Sequence, residues 1–159
     1  MAAERVRQYL EQNAVAFEEH SHATTYTTVD TAEVEHIAPA GMAKVVLLDV
    51  DDRLVMAVVP GDRTVDLGKV LHALDASAVD LAGEADFAPA FPDCEVGAEP
   101  PFGLLYGVRT VVDEALTSDT ITFPAGSHKE TISMALSDYL ALIRPERADL
   151  SRKSAVPVR

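Results

Sequence analysis

The sequence has one cysteine, no long apolar run, and no export signal at its start. A lone thiol at Cys94 cannot form an internal disulfide, which makes the cytoplasm the default compartment. Charged or polar residues interrupt every apolar stretch well before the roughly 20 residues that a membrane helix needs. The first residues, MAAERVRQYLEQ, carry charges where a signal peptide is apolar. We therefore expect a cytoplasmic protein.

Basic residues are scarce. The chain has 13 Lys and Arg against 26 Asp and Glu, which gives a formal net charge of −13. A non-specific nucleic-acid binder needs the opposite balance, because its affinity comes from contacts with phosphates. Any contact with a nucleic acid must therefore be local, weak or supplied by a partner protein.

The usual signatures of metal and nucleophilic catalysis are also missing. The sequence contains no HExxH, no CxxC and no Asp-rich loop. His20 and His22, with His36 and Cys94, could share a zinc ion, but a solvated face is the simpler interpretation. Cys94 lies between two acids, which raise the pKa of a thiol and suppress the nucleophilic thiolate. We expect no metal and no cofactor.

The 159 residues, 48% of them hydrophobic, suffice for one domain with a core. Apolar periodicity predicts helices over 3–13, from the capping candidate Asp30 to about 36–38, after Asp66, around 82–87, and over 136–143. Strands are expected at 14–23, 44–50, 54–59, 108–112 and 121–123, while 131–134 fits either type. This mixture indicates an α/β or α+β domain over 1–145 with a mixed sheet, followed by a polar, frayed tail at 146–159.

The segment 91–107, FPDCEVGAEPPFGLLYG, combines three glycines with three prolines between apolar runs. Glycine allows close backbone approach and positive φ, whereas proline fixes φ, so the segment is expected to be a stiff, shaped loop. A wide turn at the corner of a sheet is the alternative, since both residues are common in turns.

Three features together resemble the YbaK/ProX family of aminoacyl-tRNA deacylases, which includes the editing domain of some prolyl-tRNA synthetases. They are Lys44 at the head of the strand KVVLLDV, the motif Gly97-x-x-x-Pro101-Phe102-Gly103, and the later segment FPAGSH at 123–128. The resemblance covers roughly residues 5–145. It implies a mixed, curled or barrel-like sheet flanked by helices.

The resemblance also implies a site. Lys44 would anchor the terminal nucleotide or the substrate backbone, and the backbone of Gly103 would hold the scissile carbonyl and a water. These two catalytic residues are expected to meet across one cavity. The expected substrate-binding residues are Gly97, Pro101, Phe102, Ser127, His128, His22 and Thr25. From the residues alone, a strand-end lysine in solvent and ordinary polar turns remain the alternatives.

The function implied is hydrolysis of the ester between a small, mischarged amino acid and the 3′ end of a tRNA, with a synthetase as a further partner. Because this ester is already activated by its α-ammonium group, no Ser-His-Asp constellation is required. The alternative is a module of the same fold that binds a nucleotide, an amino acid or a partner protein without catalysis. The sequence leaves open which amino acid is removed.

Overall fold

The computed structural model describes residues 2–154. Its helices are α1 (Ala2–Gln12), α2 (Thr28–Val34), α3 (Leu67–Ala73), α4 (Glu84–Phe87) and α5 (Leu136–Ile143). Its strands are β1 (Phe17–Ser21), β2 (Ala43–Val50), β3 (Arg53–Pro60), β4 (Arg63–Val65), β5 (Val79–Leu81), β6 (Arg109–Asp113), β7 (Thr120–Pro124), β8 (Glu130–Ala135), β9 (Glu146–Ala148) and β10 (Ser151–Lys153). Short 3₁₀ turns cover Pro39–Gly41, Ala88–Ala90 and Gly103–Tyr106.

The strands form three sheets. The largest has the order β5-β2-β3-β6-β9, with parallel pairing on both sides of β6 and antiparallel pairing elsewhere. A three-stranded antiparallel sheet has the order β1-β8-β7, and β10 pairs with β4. The predicted α/β fold with a mixed sheet and flanking helices is confirmed, although the strands do not close into a barrel. None of the helices in residues 2–154 is long and apolar enough to cross a membrane.

The five-stranded sheet is buried on both faces, which explains the nearly continuous apolar run of β2. Side chains alternate along the strand, so Ala43 and Leu47 enter the main core while Leu48 and Val50 enter a second core on the other face. Val6 and Leu10 of α1 and the apolar residues of the β1-β8-β7 sheet contribute to the main core. The second core includes Val70 of α3.

Two helix starts were predicted from capping residues. Asp66 does cap α3, since its carboxylate accepts a hydrogen bond from the Lys69 amide at 3.1 Å. The prediction for α2 was wrong by three residues, because the Thr27 hydroxyl is the cap and Asp30 supplies the amide it accepts from, at 3.1 Å. The helix therefore begins within the threonine-rich stretch that follows β1.

The segment after residue 145 differs from the frayed tail expected from its polarity. β9 pairs in parallel with β6, and β10 pairs with β4. The fully buried Asp113, at the end of β6, accepts hydrogen bonds from the Leu150 amide and the Ser151 hydroxyl. These contacts hold residues 146–154 on the domain, while 155–159 lie outside the described residues.

Gly103 offers a test of the packing. A Cβ at this position would overlap the Thr110 hydroxyl and approach the Val108 carbonyl oxygen to 2.5 Å. We expect Gly103→Ala to lower the free energy of unfolding by about 1–3 kcal/mol, the usual cost of overpacking. Urea denaturation followed by far-UV circular dichroism measures it.

Gly68→Ala is the matched control. Its Cβ would meet only the Asp66 carboxylate, at 3.3 Å, in an exposed helical position. Its stability should fall by no more than about 0.5 kcal/mol, because the carboxylate is a side chain that can move aside and alanine is favoured over glycine in a helix. Equal stability of Gly103→Ala and the parent would show that this bend is not tightly packed.

Candidate active site

The segment that follows β1 and the segment that precedes β8 run side by side. The His22 amide donates to the Lys129 carbonyl at 2.9 Å, and the Thr25 amide donates to the His128 carbonyl at 3.0 Å. These bonds extend the antiparallel ladder in which Ser21 faces Glu130. They bring two stretches that are about 100 residues apart in sequence into direct contact.

The glycine- and proline-rich loop joins the same place. The Glu95 amide donates to the Gly126 carbonyl at 2.8 Å, and the Gly126 amide donates to the Ala98 carbonyl at 2.9 Å. The Glu95 carboxylate also accepts from the His128 amide at 2.8 Å. These three bonds fix residues 95–98 against residues 126–128.

Gly97 is a position where glycine is required. Its φ is +89°, in the region that favours glycine, and a Cβ would lie 3.4 Å from the His128 ring. Its amide donates to both oxygens of Glu99, at 3.1 and 3.2 Å. Burial raises the pKa of Glu99, and the bond from Gly97 counteracts this by stabilising the carboxylate.

These segments enclose a polar cavity of about 40 Å³, which we call the threonine cavity. Five of the expected substrate-binding residues line it: His22, Thr25, Gly97, Ser127 and His128. The rest of its wall consists of Tyr26, Thr27, Thr28, Thr31, Met42, Pro124, Glu130 and Thr131. The structure thus brings together residues that the sequence placed in three separate stretches.

Hydroxyl groups form a chain in this wall. The Thr31 hydroxyl donates to the Thr27 carbonyl at 3.0 Å and lies 2.7 Å from the Thr25 hydroxyl. A hydroxyl has a single proton, so Thr25 must be the donor to Thr31. The Thr25 oxygen then retains lone pairs that can accept a hydrogen bond from a group in the cavity.

His22 is held through both ring nitrogens. Nδ1 lies 2.6 Å from the Ala23 carbonyl oxygen, and Nε2 lies 3.2 Å from a Glu35 carboxylate oxygen. The side chains of His22 and Glu35 are only 5% and 8% exposed, and the Thr131 hydroxyl donates to the same carboxylate at 2.6 Å. His22 also borders an open groove of about 740 Å³, lined in part by Glu35. Its imidazole thus has a fixed orientation where cavity and groove meet.

Lys44 lies outside the threonine cavity. Its ammonium donates to the Arg63 carbonyl at 2.5 Å, and it lines a separate cavity of about 540 Å³ with Val46, Leu81 and Arg152 among others. Burial lowers the pKa of Lys44, an effect that the nearby Asp62 carboxylate partly offsets. The backbone is extended from Met42 into β2, so Lys44 projects to the same side as Met42, which does line the threonine cavity.

Gly103 lies across the sheet from Lys44. It packs against Thr110, whose partner in the β3–β6 ladder is Met56 of the main core. Lys44 instead shares its side of β2 with Leu48 of the second core. The expectation that Lys44 and Gly103 face one cavity is therefore wrong. Lys44 points to one face of the sheet, whereas Thr110, against which Gly103 packs, points to the other.

Pro101 and Phe102 are buried and absent from the wall of the threonine cavity. The Phe102 ring packs against Tyr9, Phe123 and Tyr139, with centroids 6.1, 5.5 and 5.4 Å away. The Pro101 carbonyl accepts a hydrogen bond from the Tyr139 hydroxyl at 2.6 Å. In this conformation both residues anchor the loop in the core.

Residues 22–142 match the family model for the aminoacyl-tRNA editing domain. The chain belongs to this family. The matched segment contains the whole wall of the threonine cavity, as well as Lys44.

Several proteins are similar to this editing domain. A proline–tRNA ligase of Geobacillus sp. (strain WCH70) is 36% identical over 90 residues, which are 57% of this chain and 16% of the ligase. The multifunctional Ser/Thr-tRNA deacylase ProXp-y of Escherichia coli (strain K12) is 28% identical over 100 residues, 62% of this chain and 59% of the deacylase. The chain therefore spans a small part of the ligase and about three fifths of the deacylase.

A solved structure shares the fold. It is described as that of a candidate trans-editing enzyme for prolyl-tRNA synthetase, and it superposes with a TM-score of 0.81 at 20% sequence identity. The match covers 95% of this chain and 97% of the other. At this identity the likeness establishes the fold alone.

Sequence reasoning missed Glu35, Thr31, Thr131 and Tyr26. The threonine-rich stretch 24–28 did carry a signal, since Thr25 was expected to bind the substrate. Glu35 and Thr131 carried none, because they are single polar residues whose meeting depends on the packing of α2 beside β8. The second partner of His22 therefore becomes evident only in three dimensions.

Cys94 is half-buried beside the Tyr106 hydroxyl, at 3.5 Å, and the Asp93 carboxylate. Burial is the main cause that raises the pKa of its thiol to about 11. It is also absent from the wall of the threonine cavity. Both observations agree with the expectation that Cys94 is not a nucleophile.

We expect Cys94 to react slowly with iodoacetamide in the folded protein. With a pKa of about 11, only about one thiol in a thousand is ionised at pH 8, and the thiolate is the reactive form. Alkylation followed by mass spectrometry from pH 7 to pH 10 should show a rate that still rises at the upper limit. The protein unfolded in urea is the control, and rapid labelling of the folded protein at pH 8 would contradict the burial of this thiol.

Proposed function

We propose that this protein hydrolyses the ester between a small, mischarged amino acid and the 3′-terminal adenosine of a tRNA, acting in trans. The observation that carries the proposal is the threonine cavity, a small polar space built within the segment that belongs to the editing-domain family. The names of two similar proteins, a Ser/Thr-tRNA deacylase and a candidate trans-editing enzyme, support the same activity.

The size of the cavity favours a small substrate side chain. A volume of about 40 Å³ holds on the order of three water molecules. That space accommodates a methyl or hydroxymethyl group together with a water, whereas an aromatic or long aliphatic side chain does not fit. The adjoining groove of about 740 Å³ leaves room for the terminal nucleotide.

The polarity of the cavity suits an aminoacyl ester. The substrate has an α-ammonium group, and the Thr25 oxygen and the Glu130 carboxylate are acceptors in the wall. A seryl or threonyl ester also has a hydroxyl, which the chain of threonines can bind. Because the ester is already activated, holding it against a positioned water supplies useful catalysis without a protein nucleophile.

In this proposal, Lys44 acts on the terminal nucleotide. Its ammonium is on the Met42 side of β2 and leaves the Arg63 carbonyl to contact a substrate phosphate as a point charge. Gly103 holds the loop through packing, and the Gly97 end of the loop contacts the substrate.

The direct test is a panel of mischarged tRNAs. We expect release of serine, threonine, alanine or cysteine from tRNA, with no hydrolysis of phenylalanyl-tRNA, because the cavity excludes the larger side chain. Loss of radiolabelled amino acid over time measures the rate, at low and at moderate salt.

Turnover on none of the small esters would contradict the proposed activity. If the protein still bound a nucleotide or an amino acid in that case, the result would favour a binding module. Equal hydrolysis of phenylalanyl-tRNA would show that the cavity does not set the specificity.

Lys44→Met tests the role of the ammonium. Loss of a charge-assisted contact costs about 1.5–3 kcal/mol, so kcat/KM on a susceptible tRNA should fall about 10- to 100-fold. Lys44→Arg, which keeps the charge, should retain more of the activity. Deacylation kinetics measures both variants, and circular dichroism checks that they fold.

The control is Lys69→Met. Lys69 also donates to a backbone carbonyl, that of Ser151 at 2.8 Å, but it lies on α3 and lines neither the threonine cavity nor the groove. Its loss should leave deacylation unchanged. A Lys44→Met variant as fast as the parent would remove Lys44 from the mechanism.

A further inference from the structure

Tyr26 is an exposed aromatic residue on an ordered backbone. Its accessibility, 76%, is higher than that of the other exposed large apolar residues in the described chain. Its two neighbours are fixed, however. The Thr25 amide donates to the His128 carbonyl, and the Thr27 hydroxyl caps α2. Residues fixed on both sides therefore hold an apolar ring in solvent at the edge of the threonine cavity.

One side of this ring is supported. The rings of Tyr26 and His128 lie with centroids 4.8 Å apart and planes inclined by 48°. His128 is itself fixed, because its amide donates to Glu95 at 2.8 Å and its Nε2 lies 2.9 Å from the Val96 carbonyl oxygen. The remaining surface of Tyr26 is free to receive a second flat group.

We propose that Tyr26 stacks on the 3′-terminal adenine base of the tRNA whose aminoacyl ester enters the threonine cavity. This inference rests on the proposed function. A single ribose joins the adenine to the ester, so the base must bind close to the cavity, and both Tyr26 and His128 line that cavity. Aromatic side chains at the surface are general stacking platforms for unpaired bases.

The local charges favour stacking as the source of affinity. Glu35, Glu95 and Glu130 lie in or beside the site, and Lys129 is the adjacent basic residue in the same loop. A chain with a formal charge of −13 gains little from the phosphates of a tRNA. Stacking on a neutral ring requires no positive charge.

Tyr26→Ala tests the proposal on a mischarged tRNA that the parent hydrolyses. We expect KM to rise about 5- to 100-fold with little change in kcat, which is the range for loss of one stacked base. Tyr26→Phe keeps the ring and should behave as the parent. Leu71→Ala, which removes another exposed apolar side chain on α3, should leave KM unchanged.

A substrate without a base separates stacking from a structural role. On serine methyl ester, Tyr26→Ala should lose far less of its kcat/KM than on charged tRNA, and the unfolding midpoints of the variant and the parent should coincide. An unchanged KM on charged tRNA would overturn the proposal. An equal loss on the methyl ester would also overturn it, because Tyr26 would then act on the cavity itself.

Binding of the trinucleotide CCA, followed by NMR, distinguishes failure of this inference from failure of the proposed function. We expect the Tyr26 and His128 ring resonances to shift in the parent and the affinity to fall in Tyr26→Ala. If the parent deacylates no tRNA but this result is obtained, the hydrolase proposal fails and the base site remains. If the trinucleotide does not bind, or binds Tyr26→Ala equally well, the base site is refuted.

Discussion

The packing of Phe102 in the main core determines where the rest of the glycine- and proline-rich loop lies. Its ring is completely buried and contacts aromatic residues from α1, β7 and α5. The bond from Tyr139 to the Pro101 carbonyl fixes the backbone immediately before it. Residues 98–100 before it are buried as well, and the loop reaches the surface at 95–97, where Gly97 lies against the His128 ring.

The threonine cavity therefore depends on contacts between segments rather than on one element. The ladder of β1 and β8 places His22 and Thr25 beside residues 128–129, and the bonds of Glu95 and Gly126 add the loop. Backbone hydrogen bonds make both connections, so side-chain substitutions on the wall can alter specificity without removing them. Such a separation of scaffold from wall lets one fold carry sites of different specificity.

The sequence predicted the elements whose pattern is local, namely the apolar strands β2 and β3, the helices α1 and α5, and the Asp66 cap. It also identified five residues of the cavity, of which Gly97, Ser127 and His128 belong to the family motifs. It wrongly placed Phe102 and Gly103 in the substrate cavity, because the sequence Pro-Pro-Phe-Gly does not indicate whether its aromatic side chain lines a pocket or enters the core. It missed β9 and β10 because polar edge strands gain their stability from partners distant in sequence.

The proposed function requires an acidic protein to bind tRNA through a source of affinity other than counterion release. In that proposal, the rings of Tyr26 and His128 and the hydroxyls of the wall would bind through stacking, shape and hydrogen bonds, which salt affects little. Such contacts reach only the terminal nucleotide and its ester, so they cannot distinguish one tRNA body from another. Discrimination among tRNAs then has to come from the amino acid itself, from the few basic residues of the surface, or from a synthetase that presents the substrate.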